Sequence, residues 1–515
     1  STVQLLSNLE LYGSNSDPDY FGRFIVNGTL DIGTRTIDHG GRNAGGSVFA
    51  LNSGATLITA NINGVNGSIP SANTTKTFST GANYTFNGSV NQVTSAGMPV
   101  TVNNLTIANT GTAGNNTVTL SAATSVSGVL TLTSGLLATT ATNLPTVTNT
   151  ATTAITGGST TSFINGPVRW NLPAGLASGS TYNVPVGKGS TYLPFSLVNP
   201  TTGGTGPALQ FEAFTGNAGG TATSPLSALS NTEYWLASIA SGNYTNGSVS
   251  LTRQTALGIL DAIGRSATQG GAYSTLNGTV SGTSIINSDN TGNSLGYFVM
   301  AAKNTITTST ISPTTYCAGA SISVPFTLTG TYTGGNIFTA QLSNASGSFA
   351  SPVTIGTLTQ TTAGTISAVI PIGTAAGSGY RIRVVSSNPA VTGTDNGSNL
   401  TVNSNFTSGA IATTGETICY AGTPATTIGS STGASGGDGV ITYSWRSSAD
   451  GYVAAISGAT SATYLPPAGL TSTTSYRRYA KDNTCNTTPT VSTGTWTVTV
   501  NSNFTSGAIA TTGET

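Results

Sequence analysis

From Val126 the chain reads VSGVLTLTSGLLATT, where Leu130 and Leu132 alternate with Thr131 and Thr133. A period of two puts successive side chains on opposite faces, which is the signal of a β-strand with one side buried. Thr and Val also suit a pleated surface. The same alternation of Val, Ile, Leu and Thr runs through the whole sequence, and no stretch sustains the 3.6-residue period of a helix. The expected class is all-β.

A phrase recurs in residues 1–165: a small or polar residue, Gly, one residue, then Leu within a strand. It appears as VNGTLDIG from Val26, NSGATLITAN from Asn52, VSGVLTLT from Val126 and TSGLLATT from Thr133, with related runs from Tyr84 and Val100. Repeats of roughly 20–29 residues suit coils of a parallel β-solenoid, each stacking on its neighbours. Inward Leu, Ile and Val would then form one column, with Gly and Asn at the corners, where Gly reaches positive φ without strain. An antiparallel sandwich is the competing reading.

Charged residues make up 6% of the 515, against about 25% in an ordinary globular chain. Disorder does not follow, because disordered chains are charged and poor in β-branched residues. The 15 basic and 15 acidic residues cancel and no basic run occurs, so a nucleic-acid partner is not expected. No apolar stretch reaches 18 residues, so no membrane span is expected. Ser1 reads as a mature or trimmed start.

After FINGPVRWNLP the texture becomes aromatic and turn-rich, and residues 166–302 read as an antiparallel β-sandwich capping the solenoid's strand edges. Residues 303–402 and 403–500 each show the short-strand pattern of an Ig-like sandwich, with Trp445 a candidate core residue of the second. The seventeen residues 401–417 recur letter for letter at 499–515. Residues 501–515 therefore read as the start of another repeat, and a longer protein is expected. Cys419 and Cys485 share one repeat and form a disulfide candidate; two separate buried thiols are the alternative. Cys317 has no partner within its own segment.

The segment ITYSWRSSADGYVAAISGATSATYLPPAGLTSTTSYRRYAKD closely resembles the tandem repeats of giant surface adhesins of Bacteroidota, gliding-motility adhesins among them. VSGVLTLTSGLLATT, INGPVRW and YNVPVGKGSTYLPFSLV resemble the N-terminal regions of that class, and SPTTYCAGASISVPFTLTGTY resembles its Ig-like spacers. The resemblance implies a bacterial cell-surface location. It also implies export through the type IX secretion translocon, which reads a C-terminal sorting domain that this sequence does not contain.

Chemistry is sparse. Solenoid enzymes that act on polysaccharides need paired carboxylates, or carboxylates with a metal and a base, yet no Asp or Glu occurs between Asp38 and Glu212. The single histidine, His39, follows Asp38 and reads as a surface turn rather than part of a triad. Asp17 and Asp19 could share a Ca²⁺ ion, but two acids alone read as an Asx-turn loop. Asp438, in GGDGV, reads as a hairpin turn. No catalytic residue, metal ligand or cofactor site is expected. In SYRRYAKD, one Arg and one Tyr of Tyr476, Arg477, Arg478 and Tyr479 would share a strand face and could touch a glycan, with solvated strand surface the simpler reading.

The expected function is a non-enzymatic extracellular adhesin or surface-fibre segment, an N-terminal head on Ig-like repeats. It would bind external surfaces or polysaccharides by many weak contacts and could also meet other copies of itself. Two other classes stay open: a structural subunit of an extracellular filament or sheath, and a glycan-processing enzyme or its binding appendage.

Overall fold

A computed structural model describes residues 2–11, 22–39, 47–70 and 74–511. Strands make up 49% of it and helix 2%, as the period-two sequence requires. The chain divides into two compact units, Ser1–Asn304 and Thr305–Thr515.

The first unit opens with a three-faced parallel solenoid. One face is a seven-stranded sheet running from Thr2–Gln4 through Thr29–Gly33, Thr56–Thr59, Asn83–Phe86, Leu105–Ala108 and Leu130–Ser134 to Ile155–Gly157. Its register stacks Leu30, Leu57, Tyr84, Leu105, Leu130 and Ile155 in one inward column. A second column, Val118, Leu137, Ile164 and Val186, lines another face. Val102, Val126, Val147 and Trp170 line the third. Every residue of the last two columns is fully buried.

The corners are built as expected for Gly and Asn. Gly135 turns the chain between Leu130–Ser134 and Leu136–Ala138 at φ +79°, and a Cβ there would lie 2.5 Å from Asn116 O. Asn83 Oδ1 accepts from Asn103 Nδ2 at 2.9 Å and Asn104 N at 3.2 Å, and Asn104 Oδ1 accepts Val129 N at 2.7 Å. Neutral amides thus join one coil to the next. The sole α-helix among the described residues, Gly64–Ser68, replaces a strand in the third coil and buries Val65.

The sandwich is fused to the solenoid. Val168–Asn171 is the last strand of the third face, and it also pairs antiparallel with Ala208–Thr215. That sheet continues through Glu233–Ser241, Gly296–Lys303 and Ala262–Ser266. Thr181–Val184, Phe195–Thr202 and Tyr244–Thr252 belong to a second sheet. Phe195 packs against Phe211 and Phe298 with ring centroids 5.3 and 5.9 Å apart. Trp170 meets Tyr182 edge-on at 5.1 Å. One core runs unbroken from Leu11 to Met300, so position 165/166 is a change of sheet direction rather than a break.

The second unit holds two Ig-like modules with separate cores. Val324, Phe338, Ile366, Ile382 and Val384 fill the first, and Trp445, Tyr476, Trp496 and Val498 the second. Trp445 is fully buried, and its Nε1 donates to Ser461 O at 2.9 Å. The strand Leu400–Thr407 belongs to both modules. It pairs with Thr315–Cys317 and Gly377–Tyr380 of the first, and with Ser435–Gly437 of the second. Position 402/403 therefore falls inside a strand.

The cysteine pairing differs from the expected one: Cys317 is bonded to Cys485, and Cys419 is free and exposed. Strand direction explains this. Glu416–Ile418 lies parallel to Trp496–Val500, with Ile418 opposite Val500, while Thr474–Lys481 starts opposite Val498 and runs away from that end. Eight residues of strand carry the chain about 25 Å, so Cys485 emerges at the far end of its module from Cys419. There it meets the neighbouring module. Cys317 is in register with Asn403, Ser404 with Gly437, and Asp438 Oδ2 accepts Asn483 N and Thr484 Oγ1 at 3.2 and 2.9 Å. Expecting the partner within one module assumed that modules are closed, and this pair is not.

Candidate functional site

The strand Thr474–Lys481 alternates buried and half-buried along its whole length. Tyr476 is 2% exposed and Arg478 0%, so these two expected contact residues belong to the core, a correction to the glycan-facing set. Arg477 and Tyr479 lie on the outer face. The neighbouring strand Thr442–Ser447 sets Arg446 directly opposite Arg477 and Ser444 opposite Tyr479.

Like charges directly opposite each other destabilise a sheet, and two contacts offset this here. The Arg446 guanidinium lies 4.3 Å from the centre of the Tyr479 ring, and that of Arg477 lies 4.2 Å from the Tyr452 ring. Tyr452 is held at φ +68° in a loop that Asp450 ties down, Oδ1 accepting Tyr452 N at 3.0 Å and Oδ2 accepting Ala454 N at 2.8 Å. These backbone donors, Ala454 foremost, hold the Asp450 carboxyl below its ordinary range. Arg446 Nη1 donates to the carbonyls of Tyr452 and Val453. The three ion pairs of the described residues, Lys188–Glu212, Arg253–Glu233 and Arg381–Asp395, include neither Arg446 nor Arg477. The face thus offers two guanidiniums and two aromatic rings, a set suited to stacking on sugar rings and to binding acidic groups.

Arg478 does something else on the inner face. Its Nε donates to Ser492 Oγ at 3.0 Å, and its Nη1 to Ser430 Oγ and, at 3.1 Å, to Ala462 O. Its Nη2 reaches the carbonyls of Ser408, Ala410 and Thr432, each at 3.4 Å. Burial lowers its pKa.

The solenoid carries a second candidate, a groove of ≈ 630 Å³ at one corner of its later coils, lined by Asn109, Asn116, Gly135, Leu136, Thr161 and Phe163 among others. Asn109 is satisfied, donating to Val90 O and Gln92 Oε1 and accepting from Gly111 N. Asn116 is 9% exposed and its Oδ1 meets no donor. A buried acceptor without a donor is costly, and a hydroxyl-bearing ligand in this groove could supply one. No carboxylate lines it.

Residues 407–502 match a family described as a domain of unknown function, DUF8696. No curated protein and no solved structure matches the chain.

Asp38 lies in the middle of the solenoid strand Ile37–His39, in register with Glu10 of the preceding coil, and its Oδ1 accepts His39 N at 2.7 Å. Asp17 and Asp19 lie outside the described residues. Among the described residues, no three His, Cys, Asp or Glu side chains converge on a common point, and no helix is long and apolar enough to cross a membrane. Asp438 is part of the junction between modules. Arg446, Tyr452 and the Asn116 groove escaped the sequence reading. For Arg446 a signal existed, since pairing TYSWRS with SYRRYAKD in a hairpin sets Trp445 beside Arg478 inside and Arg446 beside Arg477 outside.

Proposed function

We propose that the chain is a non-enzymatic extracellular adhesin or surface-fibre segment. The solenoid and its sandwich bind external surfaces or polysaccharides, and the Ig-like modules form a repeated spacer that adds weak contacts of its own. The observation that carries this reading is the junction in the second unit, where one strand serves two modules and the Cys317–Cys485 disulfide spans the boundary. A covalent staple between tandem modules suits a chain that bears tension, and a structural disulfide suits an oxidising compartment outside the cytosol. The resemblance to Bacteroidota surface adhesins supports a bacterial cell-surface location, export by the type IX translocon and a part in gliding motility. The Arg446–Tyr479 and Arg477–Tyr452 face and the Asn116 groove supply contacts of the strength that repetition can sum.

The test is to couple the full chain to beads and measure their retention under flow on surfaces coated with neutral and acidic polysaccharides. Released reducing ends and unsaturated products are assayed in parallel. Retention that survives a chelator, without product, is expected. Turnover of any glycan that is lost on changing Asp38 or His39 would overturn the reading.

A further inference from the structure

The seventeen-residue repeat has two copies in different surroundings. In the first, Asn403 to Thr407 lie in the strand Leu400–Thr407 shared between modules, and Ile411 is 2% exposed in the second module's core. In the second copy the corresponding stretch, 501–511, forms no strand. Its Phe504 and Ile509, counterparts of Phe406 and Ile411, are 88% and 90% exposed.

What precedes this stretch is the same in both places. In the first module Tyr316 is in register with Val402 and Cys317 with Asn403, and Ala318 N donates to Asn403 O. In the second module Ile418 is in register with Val500, the repeat of Val402, and Asn501 N donates to Ile418 O at 2.9 Å. The next residue is Cys419, free and exposed. Cys419 thus stands beside its outgoing strand where Cys317 stands beside the shared one. Cys317 is bonded to the following module's Cys485.

We infer that the end of the second Ig-like module formed by Glu416–Cys419 and residues 498–511 is a docking surface for another copy of that same module. The incoming copy takes residues 501–511 as its first strands, buries Ile509, and bonds Cys419 to its own counterpart of Cys485. The argument is continuity with the junction already present: the strand sequence is identical, the register is the same, and the cysteine is equivalently placed. Bond formation needs an oxidant, here a small-molecule disulfide. Cys419 thiolate attacks it to give a mixed disulfide and release one thiol; the partner thiolate then displaces the second. The two cysteines lose two electrons and two protons, which the oxidant carries off as two thiols. The inference is independent of what the chain adheres to.

The experiment extends the full chain by a copy of residues 418–500, so that 499–515 leads into a complete module, and oxidises it with oxidised glutathione. Thiols are alkylated without reduction and mapped by mass spectrometry. In the unextended chain Cys419 should be fully alkylated. In the extended chain its labelling should be lost, a peptide linking it to the appended counterpart of Cys485 should appear, and the free thiol should move to the appended counterpart of Cys419. Replacing the appended counterpart of Cys485 by Ser should restore labelling of Cys419. If Cys419 stays alkylatable in the extended chain, or bonds to any other cysteine, the inference is wrong.

Discussion

Replacing Arg478 by Met should open the second Ig-like module while leaving the first intact. The guanidinium is fully buried and joins Ser492, Ser430 and Ala462 by its shorter bonds and Ser408, Ala410 and Thr432 by longer ones. At 3.4 Å the longer contacts lie past the usual hydrogen-bond range and contribute little. Of the shorter three, the two hydroxyls can turn to other acceptors, and Ser492 Oγ already donates to Ser408 O at 2.6 Å. Ala462 O cannot turn, and because it is only half-buried, leaving it unpaired costs toward the lower end of about 1–3 kcal/mol. Met also leaves part of the guanidinium's volume empty, so the total should be about 2–4 kcal/mol. Buried charges can sometimes be exchanged for apolar groups without loss, but here one close partner, Ala462 O, is a backbone carbonyl that no substitution removes. A cost of this size multiplies the open population by roughly one and a half to three powers of ten. Hydrogen exchange read by mass spectrometry on Thr442–Ser447 and Thr474–Lys481 measures it, with Ile382–Ser387 of the first module as the control. A change under about threefold, or an equal change in the control strand, would refute the reasoning.

Gly437→Ala should prevent the Cys317–Cys485 bond, because at φ +59° the new Cβ would lie 1.7 Å from Asp482 Oδ2 and displace the loop that carries Cys485; non-reducing alkylation should then label both cysteines. Leu105→Ala, in the middle of the solenoid column, should cost about 2–5 kcal/mol. Since one core spans Leu11 to Met300, calorimetry should show one shifted transition for the first unit rather than separate solenoid and sandwich transitions. Burial pushes Tyr244, Tyr273, Tyr332 and Tyr476 up to about 12. Unfolded tyrosine ionises near 10, so above that pH the unfolded chain loses protons that the folded one keeps, and stability falls until the folded groups titrate near 12. Phenolate absorbance of the native protein should show this late-titrating class; complete ionisation near pH 10 in the folded state would contradict it.

The solenoid was legible because its inward column is written in one residue class at a regular step, so Leu57, Leu105 and Leu130 announce themselves. The fused core was not, because Val168–Asn171 ends one architecture and starts another, and its alternation is the same for either role. In the Thr474–Lys481 strand the period told which residues share a face, but not which face is inside. Hydropathy favours neither set strongly, since each contains one Tyr and one Arg. The deciding fact is cross-strand: Trp445 lies opposite Arg478. The disulfide was hidden for a related reason. Its geometry depends on the shared strand Leu400–Thr407, and a partition of the sequence into separate modules removes that strand from view.

A chain with so few charges also shows how buried ions are held when oppositely charged partners are scarce. Arg478 lies on the strand Thr474–Lys481 and Asp482 directly follows it, both fully buried, yet no ion pair joins them. Arg478 is matched by backbone carbonyls and hydroxyls. Asp482 is matched by backbone donors, Asp438 N at 3.0 Å and Asn486 N. Backbone dipoles fixed by strand pairing need no second side chain to be ordered and are not screened as exposed ion pairs are. Each ion therefore binds particular loops to the sheet: Arg478 ties down Ser430 and Ala462, and Asp482 holds the Gly437–Asp438 turn. That turn pairs with the shared strand and sets Cys485 beside Cys317. Module junctions built this way should keep their geometry across ionic strengths, because what positions the staple is the backbone of the two modules it joins.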